Sequence, residues 1–129
     1  MPNIIKKIQS KNINYILYGA NEEQIEQAEQ ELNLKFSNEY REYLTEFGVA
    51  SVDIHELTGI CPYPRLNVVD VTISERTCNP IVPMNYYVIE QAHIDRIVVW
   101  QSSNGEVYQT APNMQCVKLC NSLCDYLDL

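Results

Sequence analysis

The chain has 129 residues, of which 46% are hydrophobic and 20% charged, and its formal net charge is -8 at pH 7. This length is typical of one domain with a single core, and the composition excludes disordered, collagenous and low-complexity chains. Because the negative charge repels a polyanion, direct binding of DNA or RNA is disfavoured. We therefore expect one folded domain over residues 1–129 with no nucleic-acid partner.

The amino terminus lacks the features of an export signal. Lysines and polar residues interrupt the apolar positions of residues 1–10, so no signal-peptide core is present. Apolar runs such as 97–100 are far shorter than the roughly 20 residues that cross a bilayer. The five cysteines are an odd number, which favours reduced thiols. The sequence therefore predicts a cytoplasmic protein without membrane contact.

Two helices are predicted before residue 33. The isoleucines within residues 4–8 are spaced for one helix face. Asn21 is a suitable N-cap for a second helix, and Gln24 is placed to reach back to that cap. The apolar side of the second helix consists of Ile25, Ala28 and Leu32. Its outer face is expected to be a carboxylate surface of Glu22, Glu23, Glu26, Glu29 and Glu31.

A third helix is predicted between the N-cap Ser37 and the terminating Gly48. Its apolar face consists of Tyr40, Tyr43, Leu44 and Phe47. A short strand follows near residues 54–57, and a helix that covers residues 68–76 is predicted to end before Pro80.

The second half of the chain has the composition of an antiparallel sheet. Strands are predicted at 86–89, 96–100 and 106–110, and the last two are joined by an Asn-Gly turn within 102–105. Residues 119–127 have helical spacing, which predicts a final helix. The expected fold class is therefore α+β, with helices packed around an antiparallel sheet.

Negative charge is concentrated in the second and third predicted helices. Residues 20–48 contain eight glutamates but only two basic residues, Lys35 and Arg41, so the net charge of this segment is -6. Carboxylates along two helices would steer a basic partner protein, although each glutamate alone also fits an ordinary solvated helix face. The candidate partner-binding carboxylates are Glu22, Glu26, Glu39, Glu42 and Glu46, together with Asp53 and Glu56.

Tyrosine is the dominant aromatic residue, with nine tyrosines against two phenylalanines and one tryptophan. Tyrosine is enriched at interfaces because its ring is apolar and its hydroxyl is polar. Tyr63 lies between Pro62 and Pro64 in a segment without helix or strand periodicity. It is therefore the candidate exposed anchor for a partner.

Two sets of residues raise the alternatives of a metal site and of catalysis. Cys116, Cys120 and Cys124 repeat every four residues, but structural zinc needs a fourth ligand that the sequence does not supply. We interpret them as a thiol-lined stripe of the final helix, and we expect no metal or cofactor. His55 and Cys61 admit a remote alternative, a small Cys/His hydrolase, but no nucleophile turn or oxyanion-hole signature accompanies them.

An ordered set of residues across most of the chain resembles the SUKH superfamily, in the branch named after yeast cell-wall regulators. In the first half the set comprises Gly19-Ala20-Asn21-Glu22-Glu23-Gln24-Ile25, Ala28, Glu29, Leu32, Leu34, Phe36, Tyr40, Leu44, Phe47-Gly48 and Ser51. In the second half it comprises Val68-Val69, Glu75-Arg76, Asn79-Pro80, Val88-Ile89 and Ser103-Asn104-Gly105-Glu106-Val107-Tyr108. Structural roles in the family pattern are implied for Gly19, Gly48, Ser51, Trp100 and Gly105.

The resemblance implies an α+β fold without catalytic activity. Bacterial members of the superfamily serve mostly as immunity proteins, which bind secreted polymorphic toxins that are often nucleases. It therefore implies an immunity protein that neutralises a cognate toxin, with a basic nuclease domain as the expected partner. The alternative is a non-catalytic regulatory or scaffold domain, since eukaryotic relatives act through several partners. The family's glycine-rich run after the third helix is Gly48-Val49-Ala50-Ser51 here, so only the first glycine and the serine match.

Overall fold

The computed structural model describes residues 3–129. The helices in this part of the chain are α1 Ile4–Gln9, α2 Glu22–Leu32, α3 Asn38–Phe47, α4 Val68–Cys78 and α5 Leu123–Tyr126. The strands are β1 Ile13–Ile16, β2 Ala50–Val52, β3 His55–Glu56, β4 Tyr86–Gln91, β5 Val98–Ser102, β6 Val107–Thr110 and β7 Val117–Cys120. The α+β class expected from the sequence is confirmed.

The predicted caps of α2 and α3 are present in the structure. Asn21 Oδ1 accepts from the Gln24 amide at 2.9 Å, and Gln24 Oε1 accepts from the Asn21 amide at 2.9 Å, which completes a capping box. Ser37 Oγ accepts from the Tyr40 amide at 3.1 Å at the start of α3. These local bonds define where both acidic helices begin.

The strands form two antiparallel sheets, ordered β1-β2-β3 and β4-β5-β6-β7. Thr58, just after β3, joins them, because its amide donates to the Ile89 carbonyl at 2.9 Å and its hydroxyl to the Val88 carbonyl at 2.7 Å. The β4-β5-β6 meander and the turn at Gly105 agree with the prediction, and β7 extends the sheet by one strand.

The main core lies between the helices and the two sheets, and tyrosines form much of it. The rings of Tyr40 and Tyr87 are 4.8 Å apart between centroids, and Tyr43 is fully buried beside them. The Tyr43 hydroxyl donates to the Thr58 carbonyl at 2.7 Å and accepts from the Ala50 amide at 3.0 Å. These bonds satisfy the buried hydroxyl, and they attach α3 to the junction of the two sheets.

The opposite face of the four-stranded sheet is also covered. Trp100 is fully buried there with Val71 of α4 and with Val88 and Val98 of the sheet. The Trp100 Nε1 group donates to Thr110 Oγ1 at 2.9 Å. Burial on both faces explains why β5 carries no exposed side chain.

The predicted final helix at 119–127 is wrong in its first part. Residues 117–120 form β7, which pairs with β6, and α5 is a short helix that begins only after the N-cap Ser122. Pairing with β6 outweighs the helical spacing, because the edge of the sheet offers hydrogen-bond partners to this segment. Cys116, Cys120 and Cys124 therefore do not form a stripe on one helix.

The short strand predicted near 54–57 is confirmed only for His55 and Glu56, which form β3. Ile54 lies in the preceding turn and is 88% exposed. The strands β1 and β2 were not predicted, because β1 is mostly exposed and β2 is buried throughout, so neither alternates as a half-buried strand does. No helix in the described part of the chain is long and apolar enough to span a bilayer.

Candidate protein-binding surface

Four of the seven candidate carboxylates lie exposed on the two acidic helices. Glu22 and Glu26 lie on α2, whereas Glu42 and Glu46 lie on α3. Arg41 of α3 makes an ion pair with Glu22, which links the two helices. Within residues 3–129, Glu26, Glu42 and Glu46 have no lysine or arginine within ion-pair distance. Their charges are therefore available to a partner.

Glu29 does not belong to the exposed face, contrary to the prediction. It is 2% exposed, and its carboxylate accepts from the Phe36 amide at 2.8 Å and from Arg41 Nη1 at 2.7 Å. These charge-assisted bonds fasten the segment between α2 and α3. On the face of α2 that is turned towards α3, the Glu29 carboxylate is therefore held in an internal ion pair and is not free to bind a partner.

Glu39 has an internal role that the sequence did not indicate. Its carboxylate accepts from the amides of Leu123 and Cys124 at 2.7 and 3.0 Å, at the start of α5. It also accepts from Gln101 Nε2 at 2.9 Å. Burial raises the pKa of the Cys124 thiol to about 12, and the hydrogen bond with Glu39 is the second largest cause of this increase. Glu39 therefore holds α5 against α3 and the sheet.

Asp53 and Glu56 belong to the β2–β3 hairpin of the three-stranded sheet. Asp53 forms the exposed β2–β3 turn with a positive φ of 51°. Glu56 accepts from Arg65 Nη1 at 2.8 Å and from the Tyr15 hydroxyl at 2.6 Å. Hydrogen bonds from Arg65 and then from Tyr15 hold the pKa of Glu56 below its usual value.

An apolar groove surrounds Tyr63, and we call it the Tyr63 groove. Segments 15–20 and 60–66 form it, with two cavities of about 440 Å³ each that meet at Leu17 and Tyr63. Tyr63 is 55% exposed and Tyr18 is 91% exposed. The exposure expected for Tyr63 is confirmed, and the structure adds Tyr18, which lies 45 positions away in the chain. The only sequence signal for Tyr18 was the apolar run that precedes Gly19.

Glycines allow the backbones of the groove to pass close to the end of α3. Gly48 has φ 69° and ψ -62°, and the Val49 amide donates to the Phe47 carbonyl at 2.7 Å, which makes a strained γ-turn. A Cβ atom at Gly48 would collide with the Tyr18 carbonyl oxygen. Cβ atoms at Gly19 and Gly59 would likewise collide with the backbone of α3 and of Gly48. The conformation of the Tyr63 groove is thus set by backbone packing.

An acidic cleft continues from the Tyr63 groove between α2 and α4. Gln24 and Ile60 line both, so the two are contiguous. The cleft has a volume of about 400 Å³, and Glu23 and Glu31 carry its charge. Sequence reasoning placed these glutamates on an outer face, but it could not show that α4 packs beside them.

The remaining residues of the family pattern, Ser51, Trp100 and Gly105, lie in strands or turns away from the Tyr63 groove. Ser51 is buried in β2, where its hydroxyl donates to the His55 carbonyl at 3.2 Å. Trp100 is the buried centre of the second core, described above. Gly105 has φ 98° in the β5–β6 turn, a conformation that glycine adopts most easily.

The structure gives no support to the hydrolase alternative. His55 is buried, and its Nδ1 is 2.9 Å from Glu90 Oε1, which also accepts from the Tyr126 hydroxyl at 2.5 Å. The Cys61 thiol donates to the Tyr63 carbonyl at 3.4 Å, and burial raises its pKa. A raised pKa opposes the thiolate that a nucleophile requires. Within residues 3–129, no His, Cys, Asp or Glu side chains are grouped as a metal ligand set.

A family model described as SMI1-KNR4 cell-wall, named SUKH_5, matches residues 1–116. The chain belongs to this SUKH family. A crystal structure of a protein from Pseudomonas syringae pv. tomato has the same fold, with a TM-score of 0.73 and 15% sequence identity. The similarity covers 97% of this chain and 93% of the other. No curated protein matches the sequence.

Membership of the SUKH family supports a role in immunity or regulation exerted through contact with other proteins. Such a role requires an exposed recognition surface rather than an enclosed catalytic site. The Tyr63 groove, the acidic cleft and the exposed carboxylates of α2 and α3 are the features of this SUKH chain that meet the requirement.

Proposed function

We propose that the chain is a cytoplasmic immunity protein that binds one cognate secreted toxin, a nuclease with a basic cleft, and neutralises it by stoichiometric contact. The observation that carries this proposal is the pair of exposed tyrosines, Tyr18 and Tyr63, which line one cavity with carboxylates in the adjoining cleft. Rigid aromatic anchors contribute most of the binding energy of many interfaces, and complementary charge contributes speed and specificity.

The carboxylates of the surface suit a partner that binds nucleic acid. Glu22, Glu26, Glu42 and Glu46 are exposed on α2 and α3, and the acidic cleft adds Glu23 and Glu31. A nuclease cleft carries cationic side chains for phosphate groups, and carboxylates of an inhibitor satisfy the same side chains. Glu39 is left out of this surface, because its carboxylate is occupied by internal bonds.

The experiment that tests the function uses the product of the neighbouring open reading frame. Co-expression of its carboxy-terminal toxin domain with the chain should give a one-to-one complex and should protect cells from the toxin. A complex that leaves toxicity unchanged contradicts immunity. Moderate affinity for several unrelated proteins, without one tight complex, contradicts it as well and favours a regulatory role.

Truncation of the tyrosine anchors should weaken the complex strongly. Tyr18→Ala and Tyr63→Ala are each expected to raise the Kd about 30-fold, because loss of a buried aromatic anchor costs about 2 kcal/mol. Isothermal titration calorimetry with the toxin domain measures the change. Ile81→Ala is the matched control, since Ile81 is 76% exposed and lies outside the Tyr63 groove. Equal effects at all three positions would contradict the anchor role.

Neutralising the α3 carboxylates should slow association. The variant Glu42→Gln with Glu46→Gln is expected to reduce the association rate about tenfold at low ionic strength, with little change at high salt. The control variant Asp95→Asn with Asp125→Asn removes the same charge elsewhere on the chain. Stopped-flow kinetics over a salt series distinguishes the two. If both variants associate at the unmodified rate, steering by α3 is wrong.

A further inference from the structure

The strand β1 is an open edge of the three-stranded sheet. It pairs with β2, with Tyr15 opposite Ser51 and Ile16 opposite Ala50, and no strand of residues 3–129 pairs with its other side. The Leu17 amide donates to the Val49 carbonyl at 2.9 Å. Alternate residues of a strand direct their amides to opposite edges. The N–H group of Ile16, which lies within β1, therefore points away from β2.

Residues 15–17 of the open edge carry no lysine, proline or bulge of the kind that protects sheet edges against strand pairing. Ile13, Ile16 and Tyr18 are 42%, 45% and 91% exposed. No lysine or proline lies between Ile13 and Tyr18, and the bulge of β1 ends before Tyr15, so residues 15–17 pair regularly. Native sheet edges are normally blunted by such residues or by bulges. The β7 edge follows that rule, since Lys118 lies on it and pairs with Glu106.

The edge and the Tyr63 groove share one segment of the chain. Tyr15 and Leu17 line the groove, and Ile16 lies between them on the edge. A strand added to β1 would therefore run beside the Tyr63 groove. Beyond it lie the carboxylates of the acidic cleft, Glu23 and Glu31. The Arg65 charge does not offset them, because Glu56 pairs with it.

We propose that β1 accepts an extended segment of the toxin as an added strand, with apolar side chains at the Tyr63 groove and lysine or arginine side chains towards the acidic cleft. The proposal rests on the proposed function only in naming the toxin as the source of the segment. Strand addition obtains affinity from main-chain bonds and specificity from alternate side chains. A second copy of this chain suits the edge less, because each copy carries a net charge of -8.

Synthetic ten-residue peptides test the strand addition directly. The valine-lysine peptide carries threonine at every second position, and its other positions are valine in one half and lysine in the other, because residues two apart share a face of a strand. It should bind with slowed exchange of the Ile16 amide, measured by NMR. The valine-glutamate peptide, with glutamate in place of lysine, should bind about tenfold more weakly, because its carboxylates would meet those of Glu23 and Glu31. A valine-lysine peptide with N-methylated amides should not protect the Ile16 amide. Equal binding of all three peptides, no binding, or protection elsewhere would overturn the proposal.

A backbone variant separates the outward amide from the side chain. Ile16→Pro removes the outward N–H and should weaken valine-lysine peptide binding about tenfold, whereas Ile16→Val keeps that N–H and should bind within about twofold. If Ile16→Pro fails to fold, amide protection in the unmodified chain still decides the question. Dimer formation through β1, seen as a doubled mass in light scattering, would overturn the proposal in favour of self-association.

The toxin domain distinguishes the failure of this proposal from the failure of the proposed function. A one-to-one complex in which the Ile16 amide exchanges as fast as in the free chain would overturn strand addition and leave immunity intact. Absence of any complex, together with protection of this amide by the valine-lysine peptide, would overturn immunity and leave the strand-accepting edge in place.

Discussion

Gly48→Ala is expected to destabilise the protein by about 3 kcal/mol or more. The φ of 69° and ψ of -62° are strained for any residue with a Cβ atom, and the added methyl group would collide with the Tyr18 carbonyl oxygen. The backbone of the Tyr63 groove must then move away from α3. Urea unfolding at pH 7 measures the loss, and binding of the toxin domain should fall with it.

Gly105→Ala is the matched control for this substitution. Gly105 also has a positive φ, 98°, but the atom nearest to an added methyl group would be the Asn121 carbonyl oxygen, at 3.8 Å. Only the conformational cost, about 1–2 kcal/mol, should appear. If both variants lose the same stability, the close packing of segment 17–20 against α3 does not stabilise the fold.

Glu39→Ala is expected to lower the free energy of unfolding by about 2–3 kcal/mol. The Leu123 and Cys124 amides and the Gln101 side chain would each lose a charged acceptor, and the first two are at least partly buried. Hydrogen exchange should accelerate at the amides of Leu123 and Cys124. The thiol pKa of Cys124 should fall, because the hydrogen bond with Glu39 that helps to raise it is lost. Alkylation of Cys124 should therefore accelerate, since the thiolate is the reactive form.

Glu42→Ala provides the comparison on the same helix. Its side chain is exposed, and the expected change in stability is within about 0.5 kcal/mol. The free energies of unfolding of the two variants, measured in urea, should therefore differ clearly. A stable Glu39→Ala variant with weakened toxin binding would show instead that Glu39 contacts the partner and that the internal bonds contribute little.

Local chemistry made part of this protein predictable. The caps Asn21 and Ser37, the apolar faces of α2 and α3 and the Asn-Gly turn before Gly105 depend on residues close together in the chain, and each is present in the structure. The family resemblance was recognisable for the same reason, because it consists of ordered local motifs. The confirmed membership of the SUKH family extends over residues 1–116.

Long-range contacts decided the rest. Residues 119 and 120 fall within the predicted final helix but belong to β7, because β6 offers an edge to pair with. Glu29 and Glu39 look like other helix glutamates in the sequence, yet one is neutralised by Arg41 and the other binds the start of α5, 84 positions away. Spacing within one helix cannot reveal partners that arrive from distant segments.

The sequence by itself determined four properties of this protein. They are its acidity, its fold class, its two capped acidic helices and the exposure of Tyr63. Which carboxylates remain available, and which apolar residues accompany Tyr63, depended on the tertiary structure. Tyr18 and Tyr63 line one cavity, and the segments that carry them pass close to the end of α3 because Gly19, Gly48 and Gly59 have no Cβ atom. A groove built from such approaches between distant segments cannot be read from local sequence patterns.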